Sequence, residues 1–250
     1  MYITEKTAQG LNKFLSKAQF TTSQSIIVFS GAGMSAESGI STFRDKGGLW
    51  ENHPIEEVAT PEAWRKDRER VLDFYNMRRK QLLSVEPNEG HKTIATLERD
   101  YNLKVITQNV DDLHERAGTK NVLHLHGELR KARSTVDPSL VYPMDGWALN
   151  MGDRCEKGSQ LRPHVVWFGE MVPAMDEAID YLDDCGLMIV VGSSLMVYPA
   201  ASLVQMIDPT CPLIVIDPDE VPVQSGGPIL HLKLGASKGL NLLHNVLKSF

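Results

Sequence analysis

His124 and His126 stand two residues apart in HLHGELR (124–130). An imidazole with an ordinary pKa of about 6.5 can take up a proton at neutral pH, as a general base must. The same pair could begin a metal site, but no third ligand stands nearby in the sequence. On a strand, two residues so spaced would face the same side. Upstream, SIIVFSGAGMSAESGI (25–40) runs an apolar stretch into Gly31-Ala32-Gly33. Glycines at the end of a strand allow backbone to approach a phosphate, although a tight turn explains a lone GxG equally well. The next glycine is Gly39, which departs from the usual dinucleotide fingerprint. In FYNMRR (74–79), Tyr75 and Arg78 are three apart and would share a helix face. A phenol and a guanidinium converging on one pocket would bind a carboxylate, the arginine bidentately. A solvated basic face is the plainer reading of the same run.

These residues need a frame. Short apolar runs recur at Ser25–Ser30, Leu103–Thr107, Val122–Leu125, Leu187–Val191, Leu213–Ile216 and Ile229–Leu232. Helix-like stretches lie between them at Pro61–Leu83, His91–Arg99, Met175–Asp184 and Ala200–Ile207, and Leu240–Lys248 closes the chain. Fully apolar strands alternating with helices indicate an α/β fold with a doubly wound parallel sheet, which binds ligands at the carboxyl ends of its strands. TQNVDD (107–112) follows one such strand, so its polar side chains fall at that end. Residues 131–160 break the rhythm and read as a small inserted module. The 250 residues, with a net charge of -6, argue against broad nucleic-acid binding, which needs a basic face. No apolar run approaches the length of a membrane span, and the N-terminus lacks a signal-peptide core, so a cytoplasmic protein is expected. Cys155, Cys185 and Cys211 are too scattered for a disulfide framework or a CxxC metal pair.

GAGMSAESGISTFRDKGGLW (31–50) resembles the opening motif of the sirtuins, the silent-information-regulator family of NAD-dependent deacylases. The likeness continues in order through TQNVDDLHERAG (107–118), HLHGELR, RPHVVWFGE (162–170) and VGSS (191–194), covering most of the chain between residues 25 and 200. It implies one catalytic domain over 1–250, with a Rossmann-like part at about 20–50, 85–130 and 170–250 and a small module at about 51–84 and 131–165. It also implies roles. Gly31, Ala32, Gly33, Ser35, Ile40, Phe43, Arg44 and Trp50 would contact the dinucleotide, with Phe43 over the ribose that loses nicotinamide. Gln108 would orient the ribose hydroxyls, while Asn109 and Asp111 would line the nicotinamide pocket. Gly192, Ser193, Ser194, Asp217 and Ala236 would meet the adenosine half, Asp217 replacing the family's usual asparagine. His126 would be the general base, assisted by Asn109, and His124 a supporting residue. Val166, Trp167, Phe168, Gly169 and Glu170 would clamp the substrate peptide as an added strand.

Two features refine the expectation. The family commonly carries a structural zinc on two cysteine pairs, yet residues 131–160 contain only Cys155, too few for a tetrahedral thiolate site. No zinc is expected, and Tyr142, Met144, Trp147, Leu149 and Met151 are expected to form an apolar cluster in its place. Tyr75 and Arg78 resemble the Tyr-x-x-Arg of the sirtuin branch that removes succinyl and malonyl groups. The implied activity is NAD-dependent deacylation of succinyl-, malonyl- or acetyl-lysine in proteins by a monomer, releasing nicotinamide and O-acyl-ADP-ribose. The alternatives are an ADP-ribosyltransferase or NAD hydrolase, and a non-catalytic NAD-binding module.

Overall fold

The computed structural model describes residues 5–42 and 53–250. Phe43, Arg44 and Trp50 lie outside the described residues. A six-stranded parallel sheet has the order β3-β2-β1-β7-β8-β9. Its strands are β1 (Ser25–Ser30), β2 (Leu103–Thr107), β3 (Val122–His124), β7 (Cys185–Val191), β8 (Leu213–Ile216) and β9 (Ile229–Leu232). Every residue of β1, β7 and β8 is buried, because the sheet is covered on both faces. The side-chain period of two divides each strand between two cores. Ile26, Val28, Ile189, Val191 and Ile214 pack under α1 (Glu5–Lys17), α6 (Glu89–Asp100) and α10 (Ala236–Leu247). Ile27, Phe29, Met188, Val190 and Val215 pack with Ala178, Leu182, Leu203 and Val204 on the other side. The chain leaves β1 for β2 and β3 and returns to β7 on the opposite flank of β1. The topological switch point therefore lies between β1 and β7, where such sheets bind ligands.

The smaller part joins helices to a three-stranded antiparallel sheet of order β5-β4-β6. Its strands are β4 (Gly127–Ser134), β5 (Val141–Pro143) and β6 (Leu161–Val165). After the four-residue α2 (Gly33–Ala36), the helices of this part are α3 (Ile55–Val58), α4 (Pro61–Lys66) and α5 (Arg68–Leu82). The single helix expected over Pro61–Leu83 is thus two. Asp67 leaves helical geometry, and its carboxylate caps α5 by accepting from the Arg70 amide. Phe74, Tyr75, Val71 and Leu72 pack against Leu129, Ala132, Val165 and Trp167.

The apolar cluster expected in the zinc position does not form as a unit. Leu149 is buried and Met144 partly so, but Trp147 and Met151 are 44% and 46% exposed, and Tyr142 hydrogen-bonds Glu156 at the surface. A polar hub holds this region instead. Asn76 clasps the backbone of Leu149, donating to its carbonyl at 3.0 Å and accepting from its amide at 2.9 Å. Fully buried Arg79 donates to the carbonyls of Leu129 and Trp147 and to Asn76 Oδ1. Short irregular strands leave unpaired backbone groups, and a buried amide and guanidinium satisfy them where a metal or a larger apolar core would be the alternative. Among the described residues no group of three His, Cys, Asp or Glu is arranged to hold a metal, and no helix is long and apolar enough to cross a membrane.

Candidate active site

A cavity of about 540 Å³ opens at the carboxyl ends of the parallel strands and is walled on its far side by α5 and the segment after β6. It falls within the size range of cofactor sites. Its floor is glycine against glycine. A Cβ on Gly31 would meet the Gly192 carbonyl at 2.7 Å, and one on Gly33 would meet Gly192 Cα at 2.8 Å. Gly192 itself has φ +59°, in the left-handed region that favours glycine. The loops after β1 and β7 thus stack backbone on backbone, fastened by the Gly33 amide on the Gly192 carbonyl at 2.8 Å. Bare main chain faces the cavity there, as close approach of a pyrophosphate requires. Ser193, Ser194, Asp217 and Ala236 line its far end.

The loop after β2 organises the opposite wall. Asn109 is buried and donates to the Gly31 carbonyl at 3.0 Å and to Ser35 Oγ at 3.2 Å. Ser35 donates in turn to Asp111 at 3.0 Å. Ser35 and Asp111 therefore form a layer behind the lining residues, and burial raises the Asp111 carboxyl above its ordinary value. Gln108 lines the cavity and accepts from Ser193 Oγ at 2.9 Å, tying the β2 and β7 loops together. Ile40 packs against the core of the smaller part.

The two histidines are not on one strand. His124 ends β3, whereas His126 lies in the turn before β4. The glycine that follows has φ +78°, and this lets the chain reverse sharply from one sheet into the other. Each ring is aimed by a different carbonyl of the β2 loop. Nδ1 of His124 meets the Asn109 carbonyl at 2.9 Å, and its Nε2 meets Glu115 at 2.7 Å. Burial opposes its charge, but the Glu115 contact outweighs this and the imidazole is raised above its ordinary pKa. Nδ1 of His126 meets the Gln108 carbonyl at 3.0 Å, and the ring lines the cavity. A carbonyl can only accept, so Nδ1 carries the proton and Nε2 of the neutral ring keeps its lone pair. Burial lowers the His126 pKa, with the Gln108 contact working against that shift. One histidine is thus held toward its charged form and its neighbour toward the neutral base.

On the module side, Tyr75 and Arg78 both line the cavity, each less than a tenth exposed. Burial lowers the Arg78 pKa and pushes the Tyr75 phenol up to about 12. The Arg78 guanidinium lies 5.9 Å from the Tyr75 ring centre. Val166, Trp167, Phe168, Gly169 and Glu170 are lining residues as well. The segment is not a strand: β6 ends at Val165, the Val166 amide donates to the His126 carbonyl, the Phe168 amide donates to Ala59, and the Glu170 amide closes a turn on the Trp167 carbonyl. The Glu170 carboxylate accepts from Arg162 at 2.6 Å, from Arg133 at 3.3 Å and from the Trp167 amide at 2.8 Å. It is therefore a brace for the segment. Sequence reasoning did not single out the lining residues Glu37, Ala59, Val110, Met196 and Tyr198. Val110 had a signal, lying between Asn109 and Asp111, and Glu37 lies within the 31–50 motif; Ala59, Met196 and Tyr198 sit in segments with no distinctive pattern.

A doubly wound sheet with a glycine floor at its switch point and a partly buried neutral histidine above it defines a dinucleotide-dependent enzyme. Comparison with known proteins supplies the family. The Sir2 family model matches residues 31–199, and the chain belongs to the Sir2 family. It is 47% identical over 229 residues to a Bacteroides thetaiotaomicron protein named NAD-dependent protein deacylase, covering 90% of this chain and 98% of that one. A Helicobacter pylori protein of the same name is 57% identical over 180 residues, 72% of this chain and 78% of its own length. Among solved structures, a mutant Sir2 homologue with ADP-ribose is 38% identical with a TM-score of 0.85, over 99% of this chain and 97% of its own. A Sir2 homologue with NAD, also 38% identical, has a TM-score of 0.83 over 99% and 95% of the two chains.

Proposed function

We propose that this NAD-dependent protein deacylase acts on lysines carrying short acidic acyl groups, succinyl and malonyl, as well as on acetyl-lysine. The observation that carries the reading is the position of Tyr75 and Arg78: a buried hydroxyl and a buried guanidinium on one face of α5, lining the same cavity as His126. A guanidinium with a phenol beside it on one cavity wall presents donors in the geometry a carboxylate accepts, so a carboxylate-ended acyl chain is the ligand chemistry the wall suits. NAD, when bound, supplies the ribose that accepts the acyl group as nicotinamide departs. The bare glycine floor fits its pyrophosphate. Asn109, on the cavity wall, would orient the nicotinamide end, with Asp111 behind it holding Ser35. His126, with Nδ1 bound to the Gln108 carbonyl, offers Nε2 as the base that removes a proton from a ribose hydroxyl. Trp167 and Phe168 would flank the substrate backbone.

The test is the ratio of kcat/KM on succinyl- and acetyl-lysine peptides. Arg78→Met should lower the succinyl value by about 10- to 100-fold, the range of one charge-assisted hydrogen bond, and change the acetyl value far less. An unchanged ratio would sink the acidic-acyl reading while leaving deacylation intact.

A further inference from the structure

Tyr75 has one hydroxyl hydrogen and an oxygen that both donates and accepts, whereas an indole N–H only donates. Trp167 Nε1 lies 3.0 Å from Tyr75 Oη, so this bond runs from the indole to the phenol. The phenol oxygen is thereby engaged as an acceptor, and its own hydrogen must point elsewhere. Among the described residues no protein acceptor takes it, and Tyr75 lines the cavity. Burial also keeps the phenol protonated, with a pKa of about 12.

The indole is itself held from several sides. The Arg162 guanidinium stacks 3.3 Å from its ring centre, and the Trp64 ring packs at 5.7 Å. Arg162 is ion-paired to Glu170 at 2.6 Å, and Glu170 accepts from the Trp167 amide at 2.8 Å. Ring and backbone of Trp167 are thus fixed by the same buried ion pair, which removes the rotamer freedom that would let Nε1 turn away.

Building on the acidic-acyl reading above, we infer that Trp167 is a positioning residue for acyl selectivity: its indole N–H commits the Tyr75 hydroxyl to donate into the acyl pocket. The Tyr75 hydroxyl then adds a donor to the wall on which Arg78, a group with no acceptor, also stands. A polar acyl terminus that only accepts, such as a carboxylate, is favoured there, and one that carries donors of its own is disfavoured.

The test is a double-mutant cycle on the same two peptides with wild type, Tyr75→Phe, Trp167→Phe and the double variant, reading kcat and KM separately. Trp167→Phe should lower the succinyl-to-acetyl ratio of kcat/KM about three- to tenfold, mainly through the succinyl KM, the range expected for one neutral hydrogen bond. In the Tyr75→Phe background the same change should alter that ratio less than twofold, because there is no hydroxyl left to orient. If Trp167→Phe unfolds the protein, replacing Trp167 with benzothienylalanine keeps the ring and removes only the N–H. Independent, multiplying losses, or no loss from the Trp167 changes while Tyr75→Phe lowers the ratio, would overturn the inference. If Tyr75→Phe itself leaves the ratio unchanged, the acidic-acyl reading fails instead.

Discussion

The two walls of the cavity are built on opposite principles. The parallel-sheet wall rests on fully buried, largely aliphatic strands, so its loops are fixed mainly by hydrophobic packing beneath them. The module wall rests on buried polar groups: Asn76 and Arg79 fasten β4 to the loop before β6, and Glu170 with Arg162 fastens the segment after it. Hydrophobic packing tolerates small changes of shape, whereas a buried polar hub is satisfied or it is not. On the function proposed above, the sheet wall would carry the chemistry common to every acyl substrate, and the module wall the choice among them.

This contrast can be broken at several points. His126→Ala should reduce kcat on acetyl and succinyl peptides alike by about 10²- to 10⁴-fold, the usual yield of general-base catalysis. A loss confined to one acyl group would dissolve the division of labour. Within the sheet, Ile189→Ala should lower global stability by about 2–5 kcal/mol, seen as one cooperative shift in thermal unfolding. Asn76→Ala should cost about 1–3 kcal/mol, since it strands the Leu149 amide and carbonyl. Its signature should be local: faster hydrogen exchange at Leu149, with β1 and β7 still protected. Equal loss of protection in both parts would show a single cooperative unit. The smallest effect concerns pH. With its pKa below the ordinary 6.5, His126 stays mostly neutral down to that value, so kcat/KM should change less than about twofold between pH 7.5 and 6.5 and fall only below it. A midpoint above 6.5 would mean that burial does not dominate this ring.

Stability should also decline on the acid side. His91 and His164 are lowered by burial to about 4, so between about 6.5 and 4 the unfolded chain binds more protons than the folded one. The contribution is fully present above 6.5 and is lost as pH falls, and urea midpoints measured at pH 7 and pH 5 would check the sign.

What the sequence made legible follows the same division. The runs at Ser25–Ser30, Leu213–Ile216 and Ile229–Leu232 became strands with those bounds, because a short run dominated by aliphatic and β-branched residues has few other fates. The glycines at 31 and 33 were visible by type, but their partner at 192 is a tertiary contact that no local pattern announces. His126 could be named, but its place in a turn could not, because Gly127 reverses the chain within an otherwise strand-like run. Arg79 adjoins Arg78 in the same basic run, yet one lines the cavity and the other is spent on backbone carbonyls. Composition does not distinguish them; the helical angle between successive residues does. Helix α1 is less legible: polar residues separate Ala8, Leu11 and the pair Phe14 and Leu15, which form one apolar stripe only once the helix is wound.

The glycine floor has a consequence for the order in which the molecule comes into being. Its two halves, after β1 and after β7, are far apart in the chain, and β1 lies between β2 and β7 in the sheet. During synthesis β1 can pair with β2, and β2 with β3, long before β7 emerges, since those loops are shorter to close. Until β7 docks, the nascent chain has half a floor and nowhere to seat a dinucleotide. NAD should therefore guard the finished protein against unfolding without hastening the early steps of its assembly.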